Sequence, residues 1–148
     1  GGPTALAARV AAGESAPDYG PATIDPSTGA TLVAARPPLI AFNLELAPPA
    51  TLDDARAIAA RIRESGPEGL PGVRALGLRL ERRDVVQVST NIEDHRAVRA
   101  RDVLDAVARH HEVAAAELVA PAPEAALEGW PDDVALRMPA SLEALLGR

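Results

Sequence analysis

The chain has no cysteine and no lysine among its 148 residues, and Tyr19, Phe42 and Trp130 are its only aromatic side chains. Without thiols there are no disulfides, no thiolate nucleophile and no cysteine-ligated zinc. Without lysine there is no Schiff-base amine and no P-loop cation. With so few rings, the core must be built from Ala, Leu, Val and Ile. A surplus of positive charge is missing too: fifteen basic residues, all arginine, stand against twenty-one acidic ones, for a net −6. Nucleic acids and anionic membranes attract the opposite sign, so neither is expected as a partner. No apolar run approaches the roughly 20 residues of a membrane span, and no signal-peptide pattern opens the chain. The arginine-only bias fits a GC-rich genome, and a cytoplasmic bacterial protein is the default expectation. The chain opens Gly1-Gly2 rather than Met, so a fragment or processed product is expected.

What is present suits a soluble globular fold: 47% of residues are hydrophobic and 24% charged, and the length supports one domain with a real core. Residues 4–12 are alanine-rich and predict a short helix ended by Gly13. Ser15 to Gly29 reads as loop, broken by Pro17, Pro21 and Pro26. After Pro37-Pro38, Ile40, Phe42, Leu44 and Leu46 alternate with Ala41, Asn43 and Glu45, the mark of a half-buried strand. Thr51 is a candidate N-cap with Asp54 three residues on. The helix that follows, to about Ser65, carries Leu52, Ala55, Ile58, Ala59 and Ile62 at helical spacing, and Gly66-Pro67 ends it.

Two strands come next, joined at Glu81 to Asp84. Leu76, Leu78 and Leu80 alternate in the first, and Val86 and Val88 in the second, so both sets are expected in the core. Gln87, Ser89 and Asn91 then point the other way. A second helix is predicted over 100–111, with Val103, Leu104, Val107 and Ala108 inward, and a fourth strand over 112–119. A turn at 123–127 and a terminal helix over 141–146 close the chain.

The order is β-α-β-β-α-β, the pattern of a ferredoxin-like two-layer α+β sandwich: an antiparallel four-stranded sheet with two helices on one face. Strands one and three would be central neighbours. The helix-free face would then gather Ala41, Asn43 and Glu45 beside Gln87, Ser89 and Asn91, a convergence of polar groups that is either a ligand site or a plain solvated face.

Nothing in the pattern supplies a nucleophile. His110 and His111 are adjacent, so on a helix they diverge by about 100° and rarely share a metal. His95, after Glu93 and Asp94, could serve a local metal or acid–base site, but a solvated loop residue is the stronger reading. No serine lies in a Gly-x-Ser-x-Gly setting, and no Gly-x-Gly-x-x-Gly or zinc spacing occurs.

Nine short segments nonetheless occur in a telling order: Pro17-Asp-Tyr-Gly-Pro21, Gly29-Ala-Thr-Leu-Val33, Ala35-Arg36, Leu39-Ile-Ala-Phe-Asn43, Ile62-Arg-Glu-Ser65, Leu70-Pro-Gly-Val73, Ala75-Leu-Gly77, Gln87-Val-Ser-Thr-Asn91 and Glu117-Leu-Val119. Together, from about Pro17 to Leu127, they resemble the C-terminal half of the formiminotransferase domain of the formiminotransferase-cyclodeaminase family. The resemblance implies a transferase that moves a formimino group from N-formimino-L-glutamate to N5 of tetrahydrofolate in histidine degradation. It implies a domain of two α/β halves with folate between them, tetrahydrofolate as co-substrate and no metal.

On this reading residues 1–36 are a linker helix and ligand-contacting loop, 37–127 the C-terminal subdomain and 128–148 a tail. Folate contacts are expected from Gly20, Pro21, Ala22, Thr23, Ile24, Asp25, Pro26, Ser27, Thr28 and Gly29. The sheet residues Asn43, Gln87, Ser89 and Asn91 join them, and Arg36 and Arg63 offer cations to an anionic tail. The family's catalytic histidine belongs to the other half, so no catalytic residue is assigned here; the position of His95 is usually aromatic in the family. Partners are the N-terminal half, folate and N-formimino-L-glutamate, and a homodimer stays open. Ala34 and Ala120 stand at usual glycines, Ala116 at a usual serine and Glu45 at a usual asparagine. The competing reading is a non-catalytic ligand-sensing or dimerisation module of ferredoxin-like fold.

Overall fold

A computed structural model describes residues 3–25, 27–138 and 140–147. The chain forms two compact units, residues 1–36 and 37–148. In the first, helix α1 (Pro3–Ala11) is followed by an extended, exposed segment with one tight turn, where Asp25 and Gly29 form an antiparallel bridge.

The second unit holds the sheet. Its elements are β1 (Ile40–Leu46), α2 (Leu52–Ile62), β2 (Val73–Leu80), β3 (Val85–Ile92), α3 (Ala100–Ala108), β4 (Val113–Leu118), a 3₁₀ turn (Glu124–Ala126), β5 (Leu136–Arg137) and α4 (Leu142–Leu146). The strand order is β2-β3-β1-β4-β5, with β1, β2, β3 and β4 paired antiparallel and β5 parallel to β4. The expected ferredoxin-like sandwich with an antiparallel four-stranded sheet is therefore corrected to an α+β fold with a five-stranded mixed sheet. The residues past the 3₁₀ turn return along the β4 edge. There Ala116 N–H donates to Ala135 at 2.8 Å, Ala122 N–H to Ala140 at 3.1 Å and Leu142 N–H to Ala122 at 2.9 Å. Two residues of strand carry no periodicity that sequence patterning can detect.

Helices α2 and α3 cover one sheet face. Ile40, Phe42, Leu44, Ile58, Ile62, Val73, Val86, Val88, Val103 and Val107 are buried together, and Trp130 meets the Phe42 ring edge-on at 6.1 Å. Thr90, also turned inward, donates its hydroxyl to the Phe42 carbonyl at 2.7 Å, so no polar atom of that side chain is stranded in the core.

The expected facing of β2 is overturned. Leu76 is 54% exposed and Leu78 37%, while Val73 is fully buried and Ala75 and Gly77 lie on the helix side. The cause is the closeness of α2. A Cβ on Gly77 would sit 2.4 Å from the Arg56 nitrogen and 2.5 Å from the Ala55 carbonyl carbon, so only a residue without a side chain fits. The alternation of leucines was real, but the small residues between them set the inner face.

Helix α2 starts on a reciprocal cap. Thr51 N–H and hydroxyl donate to Asp54 Oδ2 at 2.8 and 2.6 Å, and Asp54 N–H donates to Thr51 Oγ1 at 3.2 Å. The hydroxyl bond first, then the backbone N–H, lowers the Asp54 pKa below its ordinary 3.8. A depressed carboxylate contributes stability that is present above the unfolded value and is lost as pH falls through the folded one. Far-UV circular dichroism of the chain from neutral pH down to acid should thus show α2 loosening below about pH 4. Asp54→Asn should remove that part of the pH dependence.

Candidate functional site

The register places the polar residues of the helix-free face side by side. Asn43 lies across from Ser89, Ala41 from Asn91 and Glu45 from Gln87, and on the other side of β1 Asn43 faces Glu117. On β2, Leu76 and Leu78 stand across from Ser89 and Gln87. This face thus joins two amides, a hydroxyl and a carboxylate to an exposed apolar border. Asn43, Ser89 and Asn91 are half-buried, and among the described residues none of their side chains makes a hydrogen bond. Their donors and acceptors remain open to a planar, heteroatom-rich ligand, with Leu76 and Leu78 as apolar contact.

Two residues expected on the solvated face are buried. Gln87 is 3% and Glu45 6% exposed. Glu45 is covered because Arg83, from the β2–β3 turn, approaches its Oε1 at 2.7 Å, and Arg137, from β5, meets the same oxygen. Arg137 reaches it from the strand beyond β4. Gln87 Oε1 is buried without a partner. Sequence reading missed Arg83, Arg137 and Glu117 as residues of this face. Arg83 lies in a turn and Arg137 in a two-residue strand, where no alternation marks a direction. Glu117 was within reach, since it alternates with Ala116 and Leu118, which are buried.

Arg63 is not brought to this face. It is the C-cap of α2 and lines a shallow cavity of about 350 Å³ with Glu64, Ser65 and Arg74. Arg74 is itself paired to Glu93 at 2.5 Å.

The loop 20–29 lies in the other unit and is described by itself. Gly20, Pro21, Ala22, Thr23, Asp25, Ser27, Thr28 and Gly29 are exposed and Ile24 is half-buried; Pro26 lies outside the described residues. Gly20 and Gly29 take φ of +91° and +70°, the left-handed region that glycine adopts without strain. Asp25 accepts the Ser27 hydroxyl at 2.6 Å and the Ser27 N–H at 2.7 Å, bonds that in that order hold its carboxyl below the ordinary value. Gly29 N–H donates to the Asp25 carbonyl at 2.8 Å and closes the turn. Arg36, the last residue of this unit, is exposed.

The histidines divide. His95 is 8% exposed with Nδ1 unpartnered, so the solvated-loop reading is corrected to a buried residue in the turn between β3 and α3. His110 Nε2 lies 2.8 Å from Glu68, which Arg61 also meets at 3.1 Å. That histidine bond, ahead of the arginine, lowers the Glu68 pKa. Among the described residues no three His, Cys, Asp or Glu side chains cluster as metal ligands, and no helix is long and apolar enough to cross a membrane.

Residues 41–127 match the family model described as the formiminotransferase domain. The chain is 37% identical over 110 residues to a formimidoyltransferase-cyclodeaminase of Sus scrofa, covering 71% of this chain and 20% of the relative. It is 47% identical over 77 residues to a glutamate formimidoyltransferase of Streptococcus pyogenes serotype M1, covering 52% of this chain and 25% of the relative. The chain thus spans about a fifth to a quarter of the length of these relatives. The matched span runs from the second residue of β1 to just past the 3₁₀ turn, and so takes in Asn43, Arg63, Gln87, Ser89, Asn91 and Glu117 but neither the loop 20–29 nor Arg137.

Proposed function

The chain belongs to the formiminotransferase domain family, and from that premise we propose that it is the folate-binding half of a glutamate formimidoyltransferase. The reaction is transfer of a formimino group from N-formimino-L-glutamate to N5 of tetrahydrofolate, in histidine degradation. The observation that carries this reading is the helix-free face: Asn43, Ser89 and Asn91, side by side, half-buried and without side-chain hydrogen bonds of their own. A reduced pterin ring presents several N–H donors and ring acceptors at a flat edge. Two amides and a hydroxyl match them, because each amide both donates and accepts.

In this scheme N5 of the folate attacks the formimino carbon, the C–N bond to glutamate breaks, and a proton passes to the departing nitrogen. This half contributes position: it holds the ring so that N5 stays within bonding reach. Proton transfer belongs to a histidine of the N-terminal half, and the isolated chain is inactive. His95 supports no acid–base role, since it is buried in the turn between β3 and α3 and its Nδ1 has no partner to orient or activate it. His95→Gln in the complete protein should leave turnover within about tenfold of wild type. Loop 20–29 and Arg36 are further folate contacts suggested by resemblance, the loop through its exposed backbone and Arg36 through charge.

The test is titration of tetrahydrofolate into the complete protein. Asn43→Ala and Asn91→Ala should each weaken binding by about 0.5–1.5 kcal/mol. Arg36→Ala should weaken a polyglutamylated folate more than the monoglutamate, because a longer anionic tail relies more on cations. Unchanged affinity in both asparagine variants would mean that this face is only solvated sheet surface.

A further inference from the structure

We propose that Arg83 and Arg137, converging on buried Glu45, form with its cross-strand neighbour Gln87 a second subsite on the helix-free face that binds the carboxylate and adjoining N–H of an N-substituted amino acid. The proposal rests on the transferase reading above only for the identity of that amino acid, the formimino donor. The site itself rests on charge and unmet hydrogen bonding.

Two guanidinium groups converge on one oxygen, Glu45 Oε1, from opposite sides: Arg83 from the β2–β3 turn and Arg137 from β5. These three groups together carry a formal charge of +1, with Glu117 across from Arg137 in the β4–β5 register as the further carboxylate of this face. A guanidinium has five N–H donors in a fixed fork, and among the described residues each of these arginines gives bonds to Glu45 alone. Both arginine side chains remain about two-fifths exposed, so their unused donors face solvent. The arrangement suits a second carboxylate, bound bidentate by one fork or bridging the two.

Gln87 supplies an independent observation. It stands across from Glu45 in the β1–β3 register, is 3% exposed, and its Oε1 has no hydrogen-bond partner. A buried acceptor left unpaired is costly and uncommon in a folded protein. A ligand that brings a carboxylate to the arginines and an N–H to Gln87 would satisfy both sets of groups at once. An N-acylated or N-formiminated amino acid has that pair of groups on one carbon. Glu45 then acts as an internal carboxylate that holds the two arginines in place and competes with the ligand for them. Asn43 is two residues from Glu45 on the same strand face, which sets an amino-acid subsite next to the amides proposed for the pterin.

The experiment uses the 148-residue chain and N-formyl-L-glutamate, a stable N-substituted probe, with glutarate as a probe lacking the N–H and acetate as a simple anion. Side-chain NMR resonances of the Gln87 amide and of the Arg83 and Arg137 Nε–H groups report the site. Saturable shifts at all three are expected, with glutarate several-fold weaker. Arg83→Gln should weaken binding about tenfold, and Glu45→Gln should strengthen it several-fold because the internal competitor is gone. Arg83 is the primary variant because it lies in a turn; Arg137→Gln is second, each checked for an unchanged amide spectrum.

Equal shifts from acetate would reduce the site to a general anion patch and overturn the proposal. Binding unaffected by both arginine variants, or weakened by Glu45→Gln, would also overturn it. Saturable binding of N-formyl-L-glutamate beside a failed tetrahydrofolate titration would leave this site standing and remove the folate reading alone. The converse outcome would remove only this site.

Discussion

Phe42→Ala should destabilise the second unit by about 3–5 kcal/mol, the largest effect expected from a single truncation in this chain. Phe42 is fully buried near the middle of β1, the strand flanked by β3 on one side and β4 on the other. It is the only phenylalanine, and its ring is met edge-on by the only tryptophan. A core of Ala, Val, Leu and Ile has few long side chains that could swing into the vacated space, so the cavity should persist. The lost edge contact adds about 0.5–1.5 kcal/mol to the area term and is part of the same total. Typical domains are stable by only about 5–15 kcal/mol, so the variant should sit near its folding threshold. Urea denaturation read by Trp130 fluorescence measures the effect, with Phe42→Leu, which keeps most of the volume, expected at about 1–2 kcal/mol. A cost below about 1 kcal/mol for Phe42→Ala would show that the ring is not the centre of the core.

How much of this was legible in the sequence depended on whether a pattern was long enough to have a phase. The strand Ile40–Leu46 alternates over seven residues, and its apolar side went inward as expected. The helix Leu52–Ile62 announced itself by spacing and by the Thr51–Asp54 cap. Asn43, Ser89 and Asn91 were placed together from alternation and from the β-α-β-β-α-β order, which makes β1 and β3 neighbours. The burial of Glu45 was not legible, since it depends on arginines that reach it from a turn and from β5. Long flexible side chains cover distant strands without leaving a periodic trace. The mixed character of the sheet was hidden for a related reason. β5 is two residues long and is held by backbone bonds to β4 that any residue could make.

The inner face of β2 gives the sharpest test, because two physical rules predict opposite signs there. On strand propensity, Gly77→Ala should stabilise by about 0.5–1 kcal/mol, since glycine has the most conformational freedom to lose on folding. Packing predicts the reverse. The added methyl would lie 2.4 Å from the Arg56 nitrogen and 2.5 Å from the Ala55 carbonyl carbon, and these are backbone atoms that no rotamer change can move away. Helix α2 would have to shift off the sheet, opening space around Ala55 and Ile58, both buried beneath it. We expect Gly77→Ala to cost about 1–3 kcal/mol and Gly77→Val more. Leu76, the neighbouring residue that faces away from α2, provides the contrast: Leu76→Thr should fall within about 0.5 kcal/mol of wild type. Urea denaturation of the three variants decides between the rules. A stabilised Gly77→Ala together with a costly Leu76→Thr would mean that the leucines, not the small residues, face the helix, and that the strand is in the other register.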